Sequence, residues 1–362
     1  MTKRLKDIDK NFEIATVDGN EKYDFYDIRK APFKIYGLYN PENEKTFKRL
    51  PDDIAKSVSE GVAILSKNTS GGRVRFKTNS KSIVVKAVIS EMSLMPHMAM
   101  CGSSGFDLYS KEKEGYRYRG SCITMCGNDA VEKINKNGGY ENVIVLPDDE
   151  MRDYTLNFPL YNNVDAVYIG IEKGARLEPG DNYKDVKPVI YYGSSITQGG
   201  CASRPGNSYA NILSRRYDID FINLGFSGNA KGEDEIAEYI SKLEMSCLVY
   251  AYDHNAPTVE HLRDTHERMY RTIRAKHPEI PVIFTSRPKV FLNQEEIERK
   301  EIIKTTYNNA KNRGENVYFV DGQEMFKLFG GDSGSVDGTH PNDLGFMCIS
   351  EAVGKAFEKI YK

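Results

Sequence analysis

Near residue 184 the hydrophobic pattern of this 362-residue chain changes period. Before that point apolar and polar residues alternate over short runs. "GRVRFKT" sets Val74 and Phe76 against Arg73, Arg75 and Lys77, and "YTLNFPL" sets Tyr154, Leu156, Phe158 and Leu160 against polar neighbours. A period of two belongs to half-buried strands. "SIVVKAVI" and "VDAVYIGI" add denser strands, and "TSGG", "NKNGG" and "LPDD" separate them with turn residues. Many short strands at this spacing predict an antiparallel β-sandwich. One early helix is read, around "DDIAKSVSEG".

After "LEPGDNYKDVKP", strand-like runs alternate with helix-like ones. The strands are "VIYY", "DFINLG", "CLVYAYD", "VIFTS" and "NVYFVDG". Between and after them lie amphipathic stretches; in one, Val259, Leu262, His266, Met269 and Ile273 share a stripe. Five such units predict a parallel sheet with helices on both faces, a flavodoxin-like three-layer α/β/α domain. The expected division is 1–183 for the β-sandwich and 184–362 for the α/β domain.

Bulk properties exclude several classes. A hydrophobic content of 40% supports real cores, and no run of 18 apolar residues is present, so no membrane partner is expected. The net charge of −2 offers no general field for nucleic acid. The N-terminal stretch has charges but no apolar segment of the signal-peptide kind, so a cytoplasmic protein is expected. The cysteines, at 101, 122, 126, 201, 247 and 348, are scattered, and reduced thiols are expected. Cys122 and Cys126 lack the partners of a zinc pattern, so no metal and no cofactor is expected.

In an open α/β sheet, ligands bind beyond the C-terminal strand ends. Those ends carry Ser194 and Ser195, then Ser227, Gly228 and Asn229, then Asp253, His254 and Asn255; before the last helix come Asp337 and His340. This set suits serine-based acyl transfer. A serine hydroxyl needs a base within hydrogen-bond reach, which His340 offers. Asp337, three residues earlier, is placed to hold the other imidazole nitrogen; a backbone carbonyl is the alternative. The amides of Ser195 and Gly228 and the Asn255 side chain are candidate donors to a tetrahedral oxyanion.

These motifs resemble the four blocks of the SGNH (GDSL-type) hydrolases: "GSSIT", "NLGFSGN", "DHNAP" and "DGTHPND", in the family's order. The resemblance implies that Ser195, rather than Ser194, is the nucleophile, and that Gly228, Asn255, Asp337 and His340 fill the other family roles. Ser194 stands where block one usually has an acidic residue, and Asp253 and Ala256 depart from the usual block three. "GFDLY", residues 105–109, resembles the GxDLY signature of a bacterial two-domain branch whose N-terminal domain is a jelly-roll-like β-sandwich. That branch is similar to carbohydrate esterases that remove acetyl groups from plant polysaccharides such as xylan or mannan. The implied partner is an acetylated carbohydrate, with a homo-oligomer left open.

Two rivals remain at this level. One is an SGNH esterase or thioesterase for lipid or other small acyl substrates; the other is a carbohydrate-binding protein that has lost catalysis. Arg204, His254, Asp107 and Tyr109 are candidate substrate contacts. His97, within "MSLMPHMAM", is read as a packing residue, and His261, His266 and His277 as ordinary helix residues. A phosphate-loop reading of "GSSITQGG" fails for want of the required lysine. A nucleophile-elbow lipase would need G-x-S-x-G, and the segment reads G-S-S-I-T.

Overall fold

A computed structural model describes residues 20–122, 128–327 and 331–361. Cys126 lies outside the described residues. The first half holds β1 (Tyr23–Asp27), β2 (Lys34–Tyr36), β3 (Arg73–Thr78), β4 (Ser82–Val88) and β5 (Phe106–Glu112). It continues with β6 (Gly115–Cys122), β7 (Gly139–Val145), β8 (Arg152–Asn157), β9 (Ala166–Glu172) and β10 (Leu177–Pro179). They form two antiparallel sheets, one ordered β1-β9-β4-β7 and the other β10-β3-β8-β5-β6 with β2 on β3. Ile83, Val85, Ile169 and Ile171 of the first sheet share one core with Val74, Phe76, Leu108 and Leu156 of the second. Alternation along each strand puts these side chains on the inner faces, as a β-sandwich requires.

The second half holds β11 (Val189–Gly193), β12 (Phe221–Gly225), β13 (Cys247–Ala251), β14 (Val282–Thr285) and β15 (Val317–Val320). They form a parallel sheet ordered β12-β11-β13-β14-β15, the flavodoxin-like order. Two apolar cores flank it: Ile190, Tyr192, Leu248 and Tyr250 point into one, and Val189, Tyr191, Cys247 and Val249 into the other. The strand order reverses at β11, so the loops after β11, β12 and β13 open into a common crevice.

Three details differ from the sequence reading. The early helix is two helices, Asp52–Val58 and Glu60–Leu65, broken where Ser59 turns extended (φ −172°, ψ 163°) and caps the second. Short helices Met100–Ser104 and Asn128–Asn137 were not anticipated. No described helix is long and apolar enough to cross a membrane.

The two halves meet across a charged seam. Arg49 is fully buried and donates to the carbonyls of Leu65, Asn68, Asn223 and Gly225 at 2.6–3.0 Å. Arg73 pairs with Asp220, and Arg75 with Asp153 (3.1 Å) and Asp218 (3.4 Å). Each guanidinium carries an ion pair or a set of carbonyls, as buried charge demands.

Candidate active site

Gly193 ends β11 because nothing larger fits: a Cβ there would lie 2.3 Å from Thr197 Oγ1 and 2.4 Å from the Ala251 carbonyl. The chain then turns into a four-residue helix, Ser195–Gln198. Ser194 is the cap of that helix, its buried Oγ accepting from Ile196 N at 3.2 Å. Ser195 follows as the first helical residue, whose N–H has no intrahelical acceptor.

The adjacent serines thus have separate positions. Ser194 faces inward as a cap, whereas Ser195 Oγ lies 3.0 Å from His340 Nε2. Past the imidazole, His340 Nδ1 lies 2.8 Å from Asp337 Oδ2. Asp337 splits its carboxylate between two tasks. Oδ1 accepts the backbone N–H groups of Thr339 (3.0 Å) and His340 (2.8 Å), and Oδ2 takes the ring nitrogen. Partial burial alone would raise its pKa, but these donors outweigh it and hold the group at about 2. An ionised carboxylate only accepts, so Nδ1 must carry the proton. In the neutral ring Nε2 is then the acceptor facing the Ser195 hydroxyl. The imidazole is therefore oriented by the carboxylate, of the two alternatives left open by the sequence.

The loops beyond three strand ends are bonded to one another. Ser194 N donates to the Ala251 carbonyl (3.2 Å), and Phe226 N to that of Gly193 (2.8 Å). Asn255 Nδ2 donates to the Phe226 carbonyl at 3.0 Å, which fixes its carboxamide and leaves its second N–H free to act. Gly228 sits two residues on, with φ +67° and nothing within 4 Å of where a Cβ would stand. Its need for glycine is conformational rather than steric. Among the described residues its N–H has no acceptor.

Several positioning residues escaped the sequence reading. Gln198 Oε1 accepts from Ser227 N (3.0 Å), while its Nε2 reaches Asn68 and Leu160 of the β domain. Tyr161 Oη donates to the Ser195 carbonyl at 3.1 Å. Arg287 bonds Thr339 Oγ1 with its guanidinium (2.8 Å) and Asp253 Oδ2 with its amide (2.8 Å), tying the β13 loop to the His340 loop. Asp253 also receives His254 Nδ1 at 2.9 Å. Burial opposes its ionisation, but these contacts outweigh it and its pKa is lowered. Such partners are remote in sequence, and no local motif marks them.

The four candidate substrate contacts need correction in part. Asp107 is fully buried and accepts from Asn157 Nδ2 (2.8 Å), Gly206 N (2.8 Å) and Arg204 (3.0 Å). Arg204 also meets the Tyr109 hydroxyl and lies over the Tyr118 ring at 4.2 Å. Both acceptor oxygens of Asp107 are committed, so this trio clamps the loop after Ser195 to the β domain; Asp107 and Tyr109 are sealed inside it, whereas Arg204 keeps 23% of its side chain exposed. His254 lines a small cavity of about 20 Å³ together with Ser194 and Ile196, but neither Ser195 nor His340 lines it. His97, read as packing, is exposed, with its ring centroid 5.3 Å from that of His340. Periodicity could not show this, because the loop bearing His97 follows no regular period.

Residues 186–358 match the GDSL-like lipase/acylhydrolase family. Residues 23–177 match the GxDLY domain, the N-terminus of SGNH-type esterases. The chain belongs to the SGNH (GDSL-type) hydrolases, in their two-domain GxDLY form. It is similar in structure to a candidate GDSL-like lipase from Bacteroides ovatus, with 29% identity, TM-score 0.81, and coverage of 93% of this chain and 98% of that one. The salicylyl-acyltransferase SsfX3 of a tetracycline biosynthetic pathway shares the fold at 17% identity and TM-score 0.73, covering 93% and 97%. So does an acetyl xylan esterase from Butyrivibrio proteoclasticus, at 11% identity and TM-score 0.54, covering 93% and 98%. No curated protein matches the sequence.

Proposed function

We propose that the protein is a serine esterase that removes O-acetyl groups from carbohydrate hydroxyls through an acyl-enzyme. The observation that carries the reading is the unbroken line from Ser195 Oγ through His340 to Asp337, at 3.0 and 2.8 Å. Ser195 attacks the ester carbonyl as its proton passes to His340 Nε2. Asp337 stabilises the imidazolium that results. The oxyanion is met by the N–H groups of Ser195 and Gly228 and by Asn255 Nδ2. His340 then protonates the departing sugar oxygen. It next takes a proton from water as that water attacks the acyl-enzyme, and returns it to Ser195 Oγ when the intermediate collapses to acetate and free enzyme.

The carbohydrate assignment is supported by the acetyl xylan esterase that shares the whole two-domain architecture. A second reading, longer acyl chains, is favoured by two exposed apolar residues, Leu94 and Val336, near His97 and next to Asp337 in sequence. The deciding experiment measures acetate release from acetylated xylan and mannan oligosaccharides beside hydrolysis of aryl acetate, butyrate and octanoate. Fast release from an oligosaccharide, with aryl acetate preferred among the aryl esters, is expected. Preference for octanoate with no oligosaccharide turnover would replace the carbohydrate reading with the lipid one. No turnover of any ester would leave a binding protein.

A further inference from the structure

We propose that His97, Cys201 and His340 form a binding site for a zinc-class divalent cation, which silences the enzyme by occupying the imidazole that Ser195 needs. Among the described residues, one ligand atom from each of the three lies within 4.8 Å of the other two. They arrive from three separate places: a β-domain loop, the loop after the nucleophile helix, and the loop before the last helix. Gly200 brings the middle loop against the imidazole, since a Cβ there would stand 3.2 Å from His340 Cδ2.

The donor chemistry selects the ion. Two imidazoles and a thiolate suit Zn²⁺, whereas Mg²⁺ and Ca²⁺ want oxygen. Zinc takes nitrogen at about 2.0–2.1 Å and sulfur at about 2.3 Å, so its ligands stand ~3.3–3.8 Å apart. Closing a spacing of up to 4.8 Å to that range needs side-chain shifts of an ångström or so, and His97 is exposed and so can turn to supply part of them. His340 is already prepared as a ligand. Its Nδ1 is held by Asp337, which leaves Nε2 to the metal, in the carboxylate–histidine–metal arrangement that orients ligating imidazoles. Binding displaces the Cys201 thiol proton to solvent, and water or Ser195 Oγ completes four-coordination.

The backbone adds an independent observation. Cys201 has φ +71°, a left-handed conformation that residues bearing a side chain rarely adopt, directly after two glycines. The chain holds a strained cysteine, with its sulfur beside two imidazoles, where a third glycine would sit without cost.

Inhibition rests on the esterase reading, and metal binding does not, so the test has two arms on the full-length protein. In the first, aryl acetate hydrolysis is measured against free Zn²⁺, with Mg²⁺ as control and EDTA for reversal, each variant normalised to its own metal-free rate. Zn²⁺ should inhibit and Mg²⁺ should not. His97→Ala and Cys201→Ser should each raise the half-inhibiting Zn²⁺ concentration at least ~10-fold, since even outer-shell changes cost that much affinity. In the second arm Ser195→Ala is titrated with Co²⁺, which gives a thiolate charge-transfer band when a cysteine ligates. That band should vanish on adding Cys201→Ser. If the protein proves to have no turnover, the cobalt arm decides alone. Zinc inhibition insensitive to both substitutions, or a cobalt band that survives the loss of Cys201, overturns the site.

Discussion

At the scale of single residues, Asp337 is the group on which the geometry turns. One of its oxygens folds the loop by taking two backbone amides, and the other fixes the imidazole tautomer. Asn at this position keeps the amide contacts through its carbonyl oxygen but offers an N–H to His340 Nδ1. The ring must then present its lone pair to the amide and its proton to Ser195, the wrong tautomer for a base. Asp337→Asn should therefore fold normally and lose kcat by on the order of 10³–10⁴-fold; a loss under tenfold, measured with an aryl acetate, would mean that the carboxylate only shapes the loop. With its pKa held at about 2, Asp337 stays ionised at all but strongly acid pH, so an acid limb of the rate profile above about pH 4 is not its titration. The residues of this line were legible in the sequence because each belongs to a compact block. Gln198, Tyr161 and Arg287 were not, since each acts on a residue from a different loop or domain.

At the scale of elements, the placement of Ser195 depends on a helix of four residues that has little stability of its own. Ser194 caps it, and the β12 strand end supports it: Asn223 Nδ2 donates to the Thr197 carbonyl at 2.7 Å while its Oδ1 receives Gly225 N at 2.8 Å. Removing the cap should loosen the turn without removing chemistry. Ser194→Ala is expected to lower stability by about 1 kcal/mol and to retain most of kcat, whereas Ser195→Ala should abolish turnover at unchanged stability. Denaturant melts and initial rates on the two variants check this, and an inactive Ser194→Ala would mean that the cap positions the nucleophile far more tightly than its single bond implies. The five β-α units could be read because each is long and its period distinct. Met100–Ser104 is too short for a period to register, and Ser59 breaks the early helix by switching one backbone pair to extended. Asn128–Asn137 is amphipathic, but the face it packs on the core rests on Val131 and Ile134, too few apolar positions to set a period in an otherwise polar stretch.

At the scale of the whole molecule, two buried devices govern how long the site survives. The first is His266, sealed among Tyr250, Tyr252 and Phe284 and hydrogen-bonded to Thr306 at 2.8 Å. Burial pushes its pKa down from 6.5 to about 3. Between those values the unfolded chain binds a proton that the fold refuses, so stability is full above pH 6.5 and falls as pH drops toward 3, by on the order of 5 kcal/mol across the window. His266→Gln should flatten the melting temperature over that range relative to the parent; parallel profiles would mean that the imidazole charges inside the fold at little cost. The second device is the clamp at Asp107. Its buried carboxylate holds Arg204 and Gly206, on the loop that leads away from Ser195, to the β5 and β8 strands of the other domain. Removing one partner of a buried pair leaves the other charge stranded, at a cost of about 3–5 kcal/mol. Asp107→Ala should therefore lower the unfolding midpoint strongly and reduce turnover of aryl acetate and of acetylated oligosaccharide by the same factor, because the site is loosened for both. A selective loss of oligosaccharide turnover at unchanged stability would instead make Asp107 a sugar contact, reached through some opening of a seam that is closed here.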